Sequence, residues 1–416
     1  MKHDEVNLGS AEFNANPYPF YTRLRAQAPI QRVHSFLGQE AWLVTRYDDA
    51  CAVLKDERFV KQATNAMTPK QVTSQPWFRK VKVFQSIQHN MLNQDPPDHT
   101  RLRALVNQAF TPRLIELMRQ RIQALTEELL DKVQYRGRMD VIRDYALPLP
   151  ATIIAEMLGV PAADRHRFHR WSNAMIAISS SWGVLKAIPN VWALIRYIRK
   201  IIKLRRADPQ DDLVSDLARA EEAGDRLSED ELVAMVALLL VAGHETTVNL
   251  IGNGMLAPLE HPDQMEQLRS SPALIKPAVE ELLRYSSPVA TATERYASED
   301  ATISGNTIPR GELVGVVLAS ANRDERQFVN PDSLDLARDP NRHLSFGLGN
   351  HFCLGASLAR LEGQIAVNTL LCRFPVLRLA VAPSALRWRP GPLLRGLESL
   401  PVTFGLPNGL TRPPGR

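Results

Sequence analysis

Cysteine is scarce in this 416-residue chain: there are three, Cys51, Cys353 and Cys372, with no CxxC pair and no metal-type spacing. That argues against a disulfide scaffold or a structural zinc site and fits a reducing compartment, the cytoplasm. Charge of one sign is also in short supply. Fifty Lys and Arg stand against 45 Asp and Glu, and an excess of +5 is too dilute to serve as an electrostatic footprint for nucleic acid. No uncharged apolar run reaches the ~20 residues of a membrane span; the longest is Leu232 to Ala242, and the stretch from Asn173 to Ile195 is interrupted by Lys186, Pro189 and Ser179 to Ser181. The opening MKHDEVNLGS lacks the apolar segment of a signal peptide, so a soluble protein is expected. No Gly/Ser-rich linker or fixed-period repeat divides the chain. One domain over residues 1–416 is expected, with residues 406–416 as a flexible tail.

What is present is mostly helical periodicity, which gives a mainly α fold class with small peripheral β-sheets. Strand-like pieces occur near Ala41 to Thr45, Ala301 to Ile308, Leu313 to Leu318 and Leu400 to Phe404. Ser228 and Glu231 form a capping-box pair, and Ser271 with Pro272 reads as a second helix start. From Ser228 the pattern stays helical to Glu260, where His261-Pro262 stops it, so this element is about 48 Å long. The basic stretch from Arg196 to Arg206 reads as a solvated amphipathic helix with Ile198, Ile201 and Ile202 inward.

The long helix is apolar all round in its middle and then reads A-G-H-E-T-T, Ala242 to Thr247. Polar groups in a dry core cost free energy unless something uses them. Thr246 can bond back to the carbonyl of Ala242, and Gly243 leaves room for a flat group against the backbone, so a ligand groove is expected there. The second anomaly is F-G-L-G-N-H-F-C-L-G, Phe346 to Gly355, which sets Cys353 just before a helical pattern. Amides at a helix start favour thiolate, the state that ligates metal or attacks a substrate. Cys51 and Cys372 have apolar periodic neighbours and read as inert core residues. A metal ligand and a hydrolase nucleophile both remain open on these residues alone.

The loop F-G-x-G-x-H-x-C-x-G resembles that of the cytochrome P-450 haem-thiolate monooxygenases in their soluble bacterial form. Three further motifs of that family occur in order: D-P-P-D-H-T-R-L-R with His99 and Arg103, A-G-H-E-T at Ala242 to Thr246, and E-L-L-R at Glu281 to Arg284. The similarity runs from N-P-Y-P-F-Y-T-R-L-R at residues 16 to 25 to L-R-G-L-E-S-L-P-V at residues 394 to 402.

The resemblance implies the single-domain P-450 fold, a triangular prism with haem b between the long central helix and the cysteine loop. It implies Cys353 as the iron's axial thiolate, and His99, Arg103, Arg295 and His351 as partners of the haem propionates. It implies Glu245 and Thr246 as the acid and alcohol that deliver protons to bound O2, and Glu281, Arg284 and Arg338 as a structural group behind the cysteine loop. Leu240, Gly243, Val289 and Ala290 are expected to wall the substrate pocket, under a roof near Ile176, Ile178 and Trp182. His343 reads as a structural histidine, and His244 either lines the pocket or pairs with a neighbouring loop. The implied activity is insertion of one oxygen atom from O2 into a hydrophobic small molecule, by hydroxylation or epoxidation, in a monomer. Electrons are expected from a ferredoxin-type donor and its reductase, docking near Arg101, Arg342 and Arg360. Peroxide-driven oxidation and non-catalytic haem or ligand binding are the alternatives; they would make less use of the Glu245 and Thr246 pair.

Overall fold

The longest apolar pattern in the chain becomes the axis of the fold. In a computed structural model, which describes the chain except residues 1–6, 35–38, 74–84, 166, 168–169, 172–180, 223–226 and 406–416, one helix runs from Glu229 to Glu260 without a break. Ile176, Ile178, the side chain of Trp182 and the expected tail lie outside the described residues. The capping box forms as expected: Glu231 N–H donates to Ser228 Oγ at 3.2 Å, and Ser228 N–H to Glu231 Oε2 at 2.7 Å. Pro262 opens the next helix and so ends this one. By length and composition this helix could cross a membrane, but nearly every side chain from Leu232 to Pro258 is packed inside protein, as for a core helix.

The helices of eight or more residues that surround it are α1 (Tyr18–Gln27), α2 (Tyr47–Lys55), α3 (Asp98–Ala109), α4 (Pro112–Asp131), α5 (Pro148–Met157), α6 (Ser181–Ala207), α7 (Leu213–Glu222), the axial α8 (Glu229–Glu260), α9 (Pro262–Ser270), α10 (Ile275–Ser286) and α11 (Ala356–Arg373). The axis packs on α5, α6, α9, α10 and α11, and α11 also packs on α4 and α10. In α6 the stripe Ile198, Ile201 and Ile202 turns inward, each 6% exposed or less. Ser271 makes no side-chain cap and sits between α9 and a single 3₁₀ turn, because Pro272 starts that tighter turn instead of a full helix.

Among the described residues three sheets lie at the periphery. The largest has strands β1 (Ile30–His34), β2 (Glu40–Val44), β3 (Phe59–Val60), β5 (Arg295–Ala297) and β8 (Leu313–Val316) in the order β1-β2-β8-β5-β3, with β2 and β8 parallel. A second joins β4 (Arg138–Asp140), β10 (Pro401–Phe404) and β9 (Leu377–Leu379). The piece expected as one strand over Ala301 to Ile308 is a hairpin, β6 (Ala301–Ile303) and β7 (Asn306–Ile308), because Ser304 and Gly305 both take positive φ.

The structural group implied by the E-L-L-R motif assembles around a fully buried carboxylate. Glu281 accepts from Arg284 Nε and Nη2, both at 2.7 Å, from Arg338 Nε at 3.1 Å, from Asp335 N–H at 3.0 Å and from Asn341 Nδ2 at 3.0 Å. Arg284 spends its remaining donors on the carbonyls of Asn322, Pro331 and Ser333. Helix α10 is thereby tied to the segment that leads to the cysteine loop. Removing one partner of such a pair strands the other charge in the core. Arg284→Ala is expected to cost about 3–5 kcal/mol of stability in urea unfolding. Arg338→Ala, which leaves the Arg284 pair intact, should cost less, about 1–3 kcal/mol; equal losses would contradict the hierarchy.

Candidate active site

The cysteine loop is shaped by two left-handed glycines, Gly347 at φ +69° and Gly349 at φ +72°. At Gly349 a Cβ would come within 2.6 Å of the Leu54 carbonyl oxygen, so the loop backbone rests directly on the end of α2. Cys353 N–H donates to the Phe346 carbonyl at 2.9 Å, which closes the loop just ahead of α11. Cys353 is exposed and yet sits deep among surrounding atoms, the combination expected of a side chain on the floor of a cleft. Burial pushes its thiol pKa up, and the Gly355 N–H, Arg103 and Arg360 only partly oppose this. Amides alone therefore do not produce the expected thiolate; a metal cation bound to sulfur would. Of the other cysteines, Cys51 is half-buried, whereas Cys372, expected in the core, is exposed because α11 turns that position outward.

Beside the loop, positive groups gather. His99 on α3 is 3% exposed, and neither ring nitrogen has a hydrogen-bond partner. Its ring lies 4.3 Å from that of His351. Arg295 on β5 is also 3% exposed and donates once, to the Thr293 carbonyl at 3.3 Å. Arg103, one turn after His99, donates to the Phe352 carbonyl at 2.7 Å. Lys61, which the sequence reading missed, is buried among them, its ammonium bonded to the Thr293 hydroxyl and the Thr293 and Glu294 carbonyls. Burial, then Lys61, His99, Arg295 and Arg103, push His351 down to about 2. Burial likewise pushes Arg295 down to about 10, against the pull of Asp95. Asp95 accepts from the Lys61 and Gln62 N–H groups and from Asn65.

Five basic side chains around one partly engaged carboxylate fit an anionic ligand, and two carboxylates of a macrocycle would match them. Among the described residues no three His, Cys, Asp or Glu side chains converge as a metal site. Haem, which brings its own nitrogen ligands and two carboxylates, fits both a lone cysteine and the basic cluster.

On α8 a seam of accessible surface interrupts the buried helix: Ala242 is exposed and Val241, Gly243 and Thr246 are half-buried. Thr246 Oγ1 donates to the Ala242 carbonyl at 2.9 Å, as expected. Gly243 serves helix packing, since a Cβ there would stand 3.1 Å from Ile154 of α5. Of the other expected pocket walls, Val289 is half-buried, whereas Leu240 and Ala290 are 1% and 2% exposed and belong to the core. Glu245 is buried and ion-paired with Arg389, whose segment is held by Asn14 Nδ2 donating to the Arg389 and Gly391 carbonyls, both at 2.8 Å. Arg389 lies 144 positions away, and nothing in the sequence announces the pair. His244 is 1% exposed; its Nδ1 lies 2.8 Å from the Leu240 carbonyl, and its Nε2 has no partner. It joins neither of its two expected settings.

The proposed electron-donor arginines behave differently from one another. Arg101 pairs with Glu231, and Arg360 donates to Glu280 at 2.7 and 2.8 Å while stacking on Phe346; Arg342 is exposed. Burial pushes the Glu280 carboxyl up, but bonds from His343 and Arg360 outweigh it and hold it at about 2. His343 is thus the structural histidine expected.

A second residue missed in the sequence is Glu362 on α11. Leu358, Leu361, Ile365 and Ala366 mark its buried face, a signal that was available. Neither of its oxygens has a hydrogen-bond partner, although Thr247 approaches, and burial pushes its pKa up to about 8. The folded state therefore keeps a proton that the unfolded chain, with an ordinary value of 4.5, gives up, so this group's contribution to stability falls as pH rises from 4.5 to about 8. Glu362→Gln should flatten the dependence of melting temperature on pH across that window and melt higher than the native protein at its upper end. Parallel profiles would refute the assignment.

The cytochrome P450 family profile matches residues 26–271 and 273–384. The polyketide biosynthesis cytochrome P450 PksS of Bacillus subtilis (strain 168) is 47% identical over 400 residues, 94% of this chain and 97% of its own. Among solved structures, the myxobacterial cytochrome P450 CYP267B1 in complex with myristic acid superimposes with a TM-score of 0.90 at 43% identity, covering 96% of this chain and 98% of that one. P450BioI in complex with hexadec-9Z-enoic acid ligated acyl carrier protein gives 0.87 at 44% identity, covering 95% and 99%. With a cysteine loop, a cluster of basic side chains and a continuous axial helix that carries an accessible seam arranged on that shared fold, the chain belongs to the cytochrome P450 family and is an oxidoreductase of its monooxygenase class.

Proposed function

We propose that this chain inserts one oxygen atom from O2 into a hydrophobic acyl or polyketide-type molecule, free or delivered on a carrier protein, with haem b held by Cys353. The substrate class is drawn from the relatives that carry myristic acid, an acylated carrier protein or a role in polyketide biosynthesis. When bound, the haem would supply the oxygen-activating chemistry, tuned by the Cys353 sulfur that would hold it. The observation that carries the reading is the set of five basic side chains, three of them buried, beside a lone cysteine in a glycine-shaped loop.

His99, Arg103, Arg295 and His351 would hold the two propionates, with Lys61 contributing to the field around them. Next to an anion His351 regains basicity, since an opposite charge favours the protonated ring. Phe346, under the Arg360 guanidinium at 4.5 Å, shields the sulfur side from water. On α8, Thr246 presents its hydroxyl to the cleft, while Glu245 holds or passes a proton and Arg389 orients its carboxylate. Val289 and the seam at Ala242 line the substrate side. Electrons come from a ferredoxin-type donor and reductase, and the protein works as a cytoplasmic monomer.

Two measurements test the assignment. Reduced, CO-treated protein should show the long-wavelength Soret band of thiolate ligation, and Cys353→His should lose it while still binding haem. Thr246→Ala should keep consuming electrons and O2 while product per electron pair falls by about 10- to 10²-fold. Unchanged coupling would remove Thr246 from proton delivery.

A further inference from the structure

The Arg196 to Arg206 stretch takes no part in the site above, yet it lines a groove of about 850 Å³ on the outer side of α6. Trp192, Arg196, Arg199, Lys203 and Arg206 recur at helical spacing and form one exposed stripe, with Lys200 beside it. The stripe spans about 21 Å, the length of roughly four turns of a partner helix. Five cations line the groove against one carboxylate, Glu229. Arg199 is engaged by Asp230 at 2.9 Å, and Arg196 lies over the Trp192 ring at 5.5 Å. Trp192 is 57% exposed, an aromatic anchor among arginines, the composition of interface hot spots.

The geometry points to this groove as the docking surface for a small acidic acyl-carrier protein that brings substrate to the enzyme. This rests on the acyl or polyketide reading of the substrate given above. A lipid surface suits the helix poorly: Val191, Leu194, Ile195, Ile198, Ile201 and Ile202 are all 6% exposed or less, so the apolar face that would enter a bilayer is spent on the core. A nucleic acid would follow an extended positive surface, whereas the chain carries only +5 overall and the stripe is four turns long. An electron donor belongs near Cys353, on the loop that precedes α11 and rests on α2, while α6 packs on α7 and α8. The two faces adjoin at the start of α8, where Glu229 lines the groove and Glu231 pairs with Arg101 of α3, so ferredoxin association is followed beside carrier binding.

The test uses full-length haem-loaded protein and purified acyl carrier protein without an acyl chain. Association is measured directly, alongside a separate spectral titration with free hexadecanoic acid. The native protein should bind the carrier in a salt-sensitive manner, and the Arg196→Glu, Lys203→Glu double variant should weaken binding by about tenfold or more. Trp192→Ala should weaken it independently, and the free-acid titration should stay the same in all variants. Carrier binding that is absent in the native protein, or equal in the variants, overturns the proposal. So does equally tight binding of phosphatidylglycerol vesicles or duplex DNA, or loss of ferredoxin association in the charge-reversed variant. Carrier binding without any response to free acid upholds the docking surface and counts against the acyl pocket instead.

Discussion

An ionised carboxylate in the middle of the protein sets the terms for everything around it. Glu281 has no exposed surface, so its charge is tolerable only while several donors converge on it. Arg284 reaches it from the same helix, and Arg338, Asn341 and the Asp335 N–H reach it from a segment more than fifty residues later. That demand, more than apolar packing, dictates where the chain must run on its way to residue 353. Ser345 and Asn322 extend the constraint: Asn322 Nδ2 donates to the Ser345 hydroxyl at 2.9 Å, and that hydroxyl donates to the Leu283 carbonyl at 2.7 Å. The cysteine loop thus starts from a fixed point on α10.

The site repeats the same physics with the sign reversed. At Glu281 a buried anion is matched inside the chain, while around His99, Arg295 and Lys61 buried basic groups outnumber the nearby carboxylates Asp95 and Glu294, and burial pushes the pKa of each of the three down. Without a compensating charge such groups shed protons, because burial and like charges both disfavour the charged form. The depressed His351 reports burial first and the surrounding positive charge second. The excess of basic groups suits anionic ligands, and with Cys353 close by the cluster fits the proposed ligand, which carries both carboxylates and a metal.

The axial helix joins these regions. Its buried length is held by α5, α10 and α11, and its one accessible seam, Ala242 to Thr246, coincides with the polar residues that a dry core would reject. Glu245 is neutralised by Arg389 from the C-terminal segment, and Thr246 satisfies its hydroxyl on its own helix. Thr246 is thus satisfied within the helix and Glu245 by a distant segment, while His244 Nε2 stays unpartnered, and the helix remains continuous.

Much of this was legible from residue order alone, because it depends on local spacing: the axial helix and its capping box, the loop around Cys353, the His99 and Arg103 pair one turn apart, and the Glu281 and Arg284 pair. The contributions of Lys61 and Arg389 were not, since each draws its meaning from residues brought close only by folding; for Glu362 the apolar helix face was legible, but not that its oxygens lack hydrogen-bond partners. The same holds for Leu240, Gly243 and Ala290. Helical periodicity places them on α8 or near the site, but whether a face meets a cleft or another helix depends on what packs there, and Ile154 decided it for Gly243. Sequence by itself determined the long helices and the glycine-shaped loop around Cys353, because those follow from short-range backbone and side-chain chemistry, and its motifs carried the family resemblance that the family profile bears out. The tertiary structure alone decided which charges stand unmatched, since burial and long-range proximity are properties of the packed chain.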